Sequence, residues 1–438
     1  MYLGLLSFLL LAVAAAAYEK ICAVKALGGG RDDGPSINAA FQECSENSMI
    51  ILDSYYSVNT LLLTEGLDHV DVLLSGTVQY TPNIAYWSPN SLYLTYQNAT
   101  TFWFMSGNDI HIFGGGTIDG NGQVWYDAFN ETQNEGTAGS STLTFARPVI
   151  LTIGNASNVI VEDITEIAAP NWNNVSPLVL AARCSYQQGT LQFVYQSTNV
   201  TYRNIKMSKS IDGWDIYRSS FVTIADSTIN NGDDCVSFKP NCTDMIVTNL
   251  WCNGSHGISV GSLGQYAGET DIVANVFVKN VTMRYAENGA RIKVFGGSPD
   301  PYSTSGGGTG YVQNITFEDF YGGCLDLPVI VSTIINVMSL VYEVDSPIIT
   351  DQCYFTSTAQ CEEYPSKLTI SDVHYINVTG TSSGAEGSLV VDLVCSEECQ
   401  DITATGTNLT APDGQATYIC ENIASVNELD FNCTSPTS

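Results

Sequence analysis

Basic residues are scarce in this chain, with 15 Lys and Arg against 45 Asp and Glu among 438 residues. The formal net charge is −30 and the isoelectric point is near 4.1. So anionic a surface excludes nucleic acid and anionic membrane as partners. Long apolar runs are lacking too, apart from Leu5 to Ala17, which ends on Ala15-Ala16-Ala17. That run falls short of the roughly 20 residues of a membrane span and reads as a secretory signal peptide, residues 1–17, cut ahead of Tyr18. No later segment has membrane-spanning character. Paired Cys-x-x-Cys units are absent, as is any Asp-rich loop with calcium-site spacing, so neither metal nor cofactor is expected. The Gly28 to Asp33 stretch matches neither a dinucleotide fingerprint nor a P-loop.

Cysteine, by contrast, is plentiful. Thirteen in a secreted chain predict disulfides with at least one thiol left over. Twelve Asn-x-Ser/Thr sequons add to the extracellular reading: Asn98, Asn130, Asn155, Asn174, Asn199, Asn241, Asn253, Asn280, Asn314, Asn377, Asn408 and Asn432.

Helical periodicity is confined to about Ser36 to Cys44, following Gly28-Gly29-Gly30-Arg31-Asp32-Asp33-Gly34-Pro35, and predicts a short N-terminal cap. Beyond it, short β-rich stretches recur between Asn, Asp and Gly, among them Val149–Ile153, Val159–Val161, Leu368–Ile370 and the variants Asn204-Ile205-Lys206-Met207 and Asn314-Ile315-Thr316-Phe317. Central strands start at positions 200, 222, 245 and 272. A recurrence of roughly 22 to 27 residues predicts an all-β solenoid of short strands with variable turns. A sandwich or propeller needs longer alternating strands or a stricter period. No shift in composition marks a second domain, so residues 18–438 are expected to form one, and Thr304–Gly310 reads as a turn within it.

Scarce chemistry is concentrated between Ser210 and Lys293. The intervals from Asp212 to Asp233 and from Asp233 to His256 are nearly equal. A coil of about 22 residues therefore stacks these side chains on one face, about 4.8 Å apart per coil. Adjacent Asp233 and Asp234 both reach that face only if the chain bends, and Gly232 permits a bend. Clustered carboxylates raise one another's pKa, which provides the protonated and ionised pair that glycoside cleavage needs. His256, between Gly254 and Gly257, is placed to orient an aspartate. Arg291 and Lys293 alternate onto one strand face, where a directional fork and a point charge suit a substrate carboxylate. The competing reading is a pair of salt bridges that only neutralise the aspartates. Lys239 and Arg218 add local positive potential.

These elements resemble the fungal polygalacturonase family of pectin-degrading glycoside hydrolases across nearly the whole mature chain. The resemblance rests on Gly29–Asp33, Gly114–Gly122, Arg147-Pro148, Asp233-Asp234, Ser255-His256-Gly257 in place of Gly-His-Gly, and Arg291-Ile292-Lys293. It implies a single-stranded right-handed parallel β-helix and an inverting mechanism. Asp233 becomes the general acid, Asp212 and Asp234 activate water, His256 supports the acid, and Arg291 and Lys293 hold the sugar carboxylate, with Tyr354 a further substrate contact. It also implies the disulfides Cys235–Cys252 and Cys395–Cys399. Asp212–Arg218 and His256–Tyr266 resemble the exo-acting subgroup, which releases galacturonate from the non-reducing end of polygalacturonate.

The chain departs from the family at Ser210-Ile211, which stand where it has Asn-Thr. That departure bears on substrate preference and turnover. It keeps open a rhamnogalacturonan or xylogalacturonan hydrolase and a catalytically impaired carbohydrate-binding β-helix. A pectin lyase would want another arrangement of charges. A monomer acting on pectic polysaccharide is expected.

Overall fold

The computed structural model describes residues 18–134, 145–170, 192–208, 212–322 and 344–434. The expected signal peptide, Ser210-Ile211 and Asn174 lie outside the described residues, as does the side chain of Asn130. Contacts divide the chain into two compact units, one covering most residues up to Gly213 and the other Trp214–Phe221 with Thr228 onward.

In the first unit, parallel ladders are built from strands of period two. The strands Glu46–Leu52, Leu62–Leu74, Trp103–Phe113, Leu151–Glu162 and Thr198–Arg203 pair in succession. Their register stacks Ile50, Val72, Ile112, Val161 and Tyr202 in one buried column. Each β-branched or aromatic side chain rests on the one a coil below, which suits residues whose χ1 is already restricted. Outside the column, Asn199 donates to Asn158, Asn158 to Asn108, and Asn108 to Asp68, at 2.7, 2.7 and 3.0 Å. The helix predicted near Ser36–Cys44 spans Gly34–Glu43. Its entry is latched by Asp32 and Asp33, which accept backbone N–H groups from Gly34, Asn59, Leu27 and Ser57.

A second ladder of this unit runs Tyr55–Val58, Thr77–Tyr80, Thr117–Asp119, Thr165–Ile167 and Lys206–Ser208. Its interior column is Tyr56, Val78, Ile118, Glu166 and Met207, all buried. A carboxyl group thus occupies a position that the pattern reserves for an apolar side chain. Burial pushes its pKa from 4.5 up to about 8, partly offset by a hydrogen bond donated from Gln192 Nε2 to Glu166 Oε1. The remaining oxygens, Glu166 Oε2 and Gln192 Oε1, are buried without partners. A proton on Glu166 joins those two orphans and completes a cyclic acid–amide pair.

The second unit repeats the plan. One ladder runs Trp214–Tyr217, Asp234–Phe238, Gly257–Leu263, Ala286–Phe295, Val344–Tyr354, Leu389–Thr405 and Thr417–Ile423. Trp214, Val236, Ile258, Ala290, Ile348 and Val391 form one inward column. The intervening positions Asp215, Ser237, Ser259, Arg291, Ile349 and Asp392 form a row on the opposite face. Every chemistry-bearing strand residue predicted for the site in this unit lies on that face or at the ends of its strands. Among the described residues no helix is long and apolar enough to cross a membrane. Disulfides among the described residues join Cys22–Cys44, Cys235–Cys252, Cys353–Cys361, Cys395–Cys399 and Cys420–Cys433, and Cys242 is a buried free thiol.

Candidate active site

Asp233 precedes the strand that Asp234 begins, so the bend expected between them exists. Asn231 holds it: its Nδ2 donates to the carbonyls of both Asp233 and Asp234, at 2.8 and 2.9 Å. Gly232 is not among the glycines with positive φ. The Asp233 carbonyl is tied to the next coil as well, accepting from His256 N at 2.7 Å and from Ser255 Oγ at 3.0 Å.

Ser255 therefore compensates for the missing first glycine of the Gly-His-Gly phrase, since its buried hydroxyl also accepts from Gly257 N at 2.9 Å. Gly257 itself has no substitute: at φ +107° a Cβ would meet the carbonyl oxygens of Gly289 and Asn288 at 2.6 and 2.8 Å. The Cys235–Cys252 bridge closes a 17-residue separation between the Asp pair and this segment and contributes about 3 kcal/mol by limiting the unfolded chain.

His256 lies between two carboxylates, Nδ1 at 2.9 Å from Asp233 Oδ1 and Nε2 at 3.0 Å from Glu287 Oε2. Burial acts to lower its pKa, but Asp233 and then Glu287 outweigh burial and hold it well above 6.5, so the ring is an imidazolium. Burial likewise acts to raise Asp233, and the imidazolium, with Lys293 and Lys239, drives its pKa below the usual carboxylate range. One proton is thus held between His256 Nδ1 and Asp233 Oδ1. Nothing in the sequence points to Glu287; it is one residue into its strand, and only the coil register brings it to the ring.

Asp234 is fully buried and both its oxygens are engaged, Oδ1 by Ser259 Oγ and Oδ2 by Lys293 Nζ, each at 2.6 Å. Lys239 adds a cation 3.9 Å from Oδ2 and sits 3.1 Å from Asp215 Oδ1. Burial first, offset by Lys239, raises Asp215 to about 6. Asp215 is a further site residue that the motifs do not mark, although it follows Asp212 by three positions.

The expected cation pair divides its labour. Lys293 is spent on Asp234, and burial lowers its pKa against that partner's pull. Arg291 makes no ion pair among the described residues, and its buried Nε has no hydrogen-bond partner. Its guanidinium carbon lies 5.4 Å from the Tyr354 ring centroid, with Lys293 Nζ at 5.6 Å. Tyr354 is half-buried, and burial pushes its hydroxyl up to about 12. Arg218 lies apart from this cluster, over Tyr217 and 3.9 Å from Glu269.

Asp212 belongs to the first unit, where it is buried near Arg147. Burial lowers Arg147 to about 10, with Tyr126 and Asp212 opposing.

The glycosyl hydrolases family 28 model matches residues 49–429. Exopolygalacturonase X-1 of Emericella nidulans is 39% identical over 436 residues, covering 95% of this chain and 89% of that protein. Exopolygalacturonase X of Aspergillus niger is 39% identical over 434 residues, at 95% and 89% coverage. Among solved structures, the endo-xylogalacturonan hydrolase of Aspergillus tubingensis superposes with a TM-score of 0.74 at 28% identity, covering 95% of this chain and all of that one. The polygalacturonase of Erwinia carotovora ssp. carotovora gives 0.62 at 18% identity, at 93% and 97% coverage, and supports the fold alone. The fold class is the right-handed parallel β-helix, and the chain belongs to family 28 of the glycosyl hydrolases.

Proposed function

We propose that this protein is an exo-acting, inverting glycoside hydrolase that cleaves α-1,4-galacturonosyl linkages at the non-reducing end of polygalacturonate, releasing galacturonate. The observation that carries the reading is the buried Arg291 guanidinium, which makes no ion pair among the described residues and acts electrostatically on Glu287, the carboxylate that holds His256. A desolvated cation with an unused donor is costly unless a ligand completes it, and a uronate carboxylate matches its fork. Relatives named exopolygalacturonase at 39% identity support the substrate and the mode of attack.

In this reading Asp233 is the general acid. The proton it delivers to the glycosidic oxygen is the one shared with His256, which moves across the 2.9 Å contact as the leaving group departs. Asp234, held by Ser259 and Lys293, orients the attacking water together with Asp212. Arg291 binds the sugar carboxylate, Tyr354 flanks it, and Lys293 acts by fixing Asp234.

The same reading takes residues 18–438 as one catalytic β-helix domain, secreted as a monomer after removal of residues 1–17 and glycosylated at some of its sequons. The test is a product time course on polygalacturonate. Monogalacturonate is expected as the first product; early mixed oligomers would show endo action instead. Xylogalacturonan and rhamnogalacturonan belong in the same assay, the former because of the likeness to the endo-xylogalacturonan hydrolase.

A further inference from the structure

Phe355, next to Tyr354 in the chain, lines an open groove of about 610 Å³, within the roughly 300–1,000 Å³ of small-ligand sites. The Tyr354 ring lies 4.4 Å from that of Phe355, which lines the groove, and Arg291 lies 5.4 Å from Tyr354. The Tyr354 ring thus touches both the carboxylate-binding arginine and the groove's aromatic wall, which brings the two within reach of one polymer chain. Phe355 is 69% exposed although large and apolar, and its face is backed by Tyr354 and by Phe295 at 6.2 Å. The Cys353–Cys361 bridge and the short helix Thr358–Glu363 brace the wall that carries Phe355 and Gln360. A rigid exposed ring beside Ser298 and Gln360 offers what a pyranose needs, an apolar surface for its C–H face and polar groups for its hydroxyls.

The charge of the lining selects among sugars. Among the described residues, its ionisable groups besides the Tyr364 phenol are Asp300 and Glu363, and no cation lines it. A free uronate would meet two carboxylates with nothing to compensate them. We propose that this groove is a subsite for a pyranose without a free carboxylate, stacked on Phe355 while a galacturonate occupies Arg291. The inference rests on the proposed reaction and extends it. The preferred substrate is a pectic chain in which an uncharged sugar, esterified in the backbone or attached as a branch, lies near a charged one.

Steady-state kinetics of wild type, Phe355→Ala and Asp300→Lys test the subsite on three oligosaccharides: fully charged oligogalacturonate, its partly methyl-esterified form and a xylose-substituted form. Phe355→Ala is expected to lower kcat/KM at least tenfold on one or both uncharged-sugar substrates and less than twofold on the fully charged one. Loss confined to the esterified substrate identifies a backbone occupant, and loss confined to the xylosylated one identifies a branch. Equal loss on all three, or none, overturns the subsite. Asp300 is exposed and its side chain accepts the turn N–H of Tyr302 at 2.9 Å, so Asp300→Lys is first checked for native folding by circular dichroism, and it is expected to shift preference toward the fully charged chain. An unchanged preference also overturns it. Should wild type release no galacturonate, the proposed reaction fails. Calorimetric binding of the uncharged-sugar oligosaccharides to Asp233→Asn with and without Phe355→Ala then decides the groove separately.

Discussion

Replacing Glu166 by Gln is expected to make the protein more stable at neutral and alkaline pH, by an amount that the burial of this side chain fixes. In the fold its pKa is raised from 4.5 to about 8, chiefly by desolvation inside the Tyr56–Val78–Ile118–Met207 column. Below about pH 4.5 the acid is protonated in both folded and unfolded chains, and the stability of the neutral pair with Gln192 is fully present. Between 4.5 and about 8 only the unfolded chain ionises, which favours unfolding by about 1.4 kcal/mol per pH unit. Across that window the loss reaches about 5 kcal/mol, a large share of the roughly 5–15 kcal/mol that holds an ordinary domain together. The charged and titratable groups electrostatically coupled to Glu166 are the Tyr80 and Tyr202 hydroxyls; burial raises both well above 10, so neither titrates in the window.

In the Glu166→Gln variant the new amide donates to Gln192 Oε1 and accepts from its Nε2, keeping the cyclic pair without a proton to lose. Urea unfolding of wild type and Glu166→Gln from pH 4 to 8.5 should give free energies that agree within about 1 kcal/mol at the acid end. They should diverge by about 5 kcal/mol at pH 8, the variant being the more stable. Taking the difference cancels the titration of Asp215, Asp233 and Asp392, which both proteins share. A difference that stays constant with pH would refute the buried neutral acid.

Three predictions concern the site. Asp233→Asn should lower kcat by about 10²–10⁴-fold, the worth of a positioned acid, while oligogalacturonate binding stays within a few fold by calorimetry; near-normal turnover would remove Asp233 from that role. Glu287→Gln removes one of the two carboxylates that raise His256, so the alkaline limb of the pH–rate profile should move to lower pH, and an unmoved limb would count against a protonated His256. Arg291→Gln should raise KM for polygalacturonate by about 10–100-fold, the worth of a charged hydrogen bond, with a smaller change in kcat. Binding of equal strength in about 0.02 M and 0.3 M salt by wild type would argue against a carboxylate at Arg291.

Much of the fold is legible because it is periodic. The step between strands is nearly constant where turns are short, and the register confirms it from Trp214 to Val236 and from Val236 to Ile258. Regularity then lapses: Ile258 pairs with Ala290, a longer coil, since loops are inserted at its corners. Arg291 and Lys293 stand out by their rarity and their alternation, for no coil arithmetic reaches them. Glu166 is invisible because a carboxylate in a polar-rich β sequence gives no local sign of facing inward. Glu287 gives no motif signal at all.

By itself, then, the sequence determined the class of repeat, the candidates for the reacting groups and the alternation that sends Arg291 and Lys293 to one face, since these depend on composition and on a strand period of two. Only the tertiary structure decided who meets whom. Lys293 is consumed by Asp234 while Arg291 has no ion pair among the described residues, and His256 is clasped by Glu287 as well as Asp233. Register shifts also fall between Asp234 and Val236, Gly261 and Leu263, and Lys293 and Phe295. Such shifts move a side chain by one residue along its coil, and they follow from packing between coils, which no single stretch of the chain encodes.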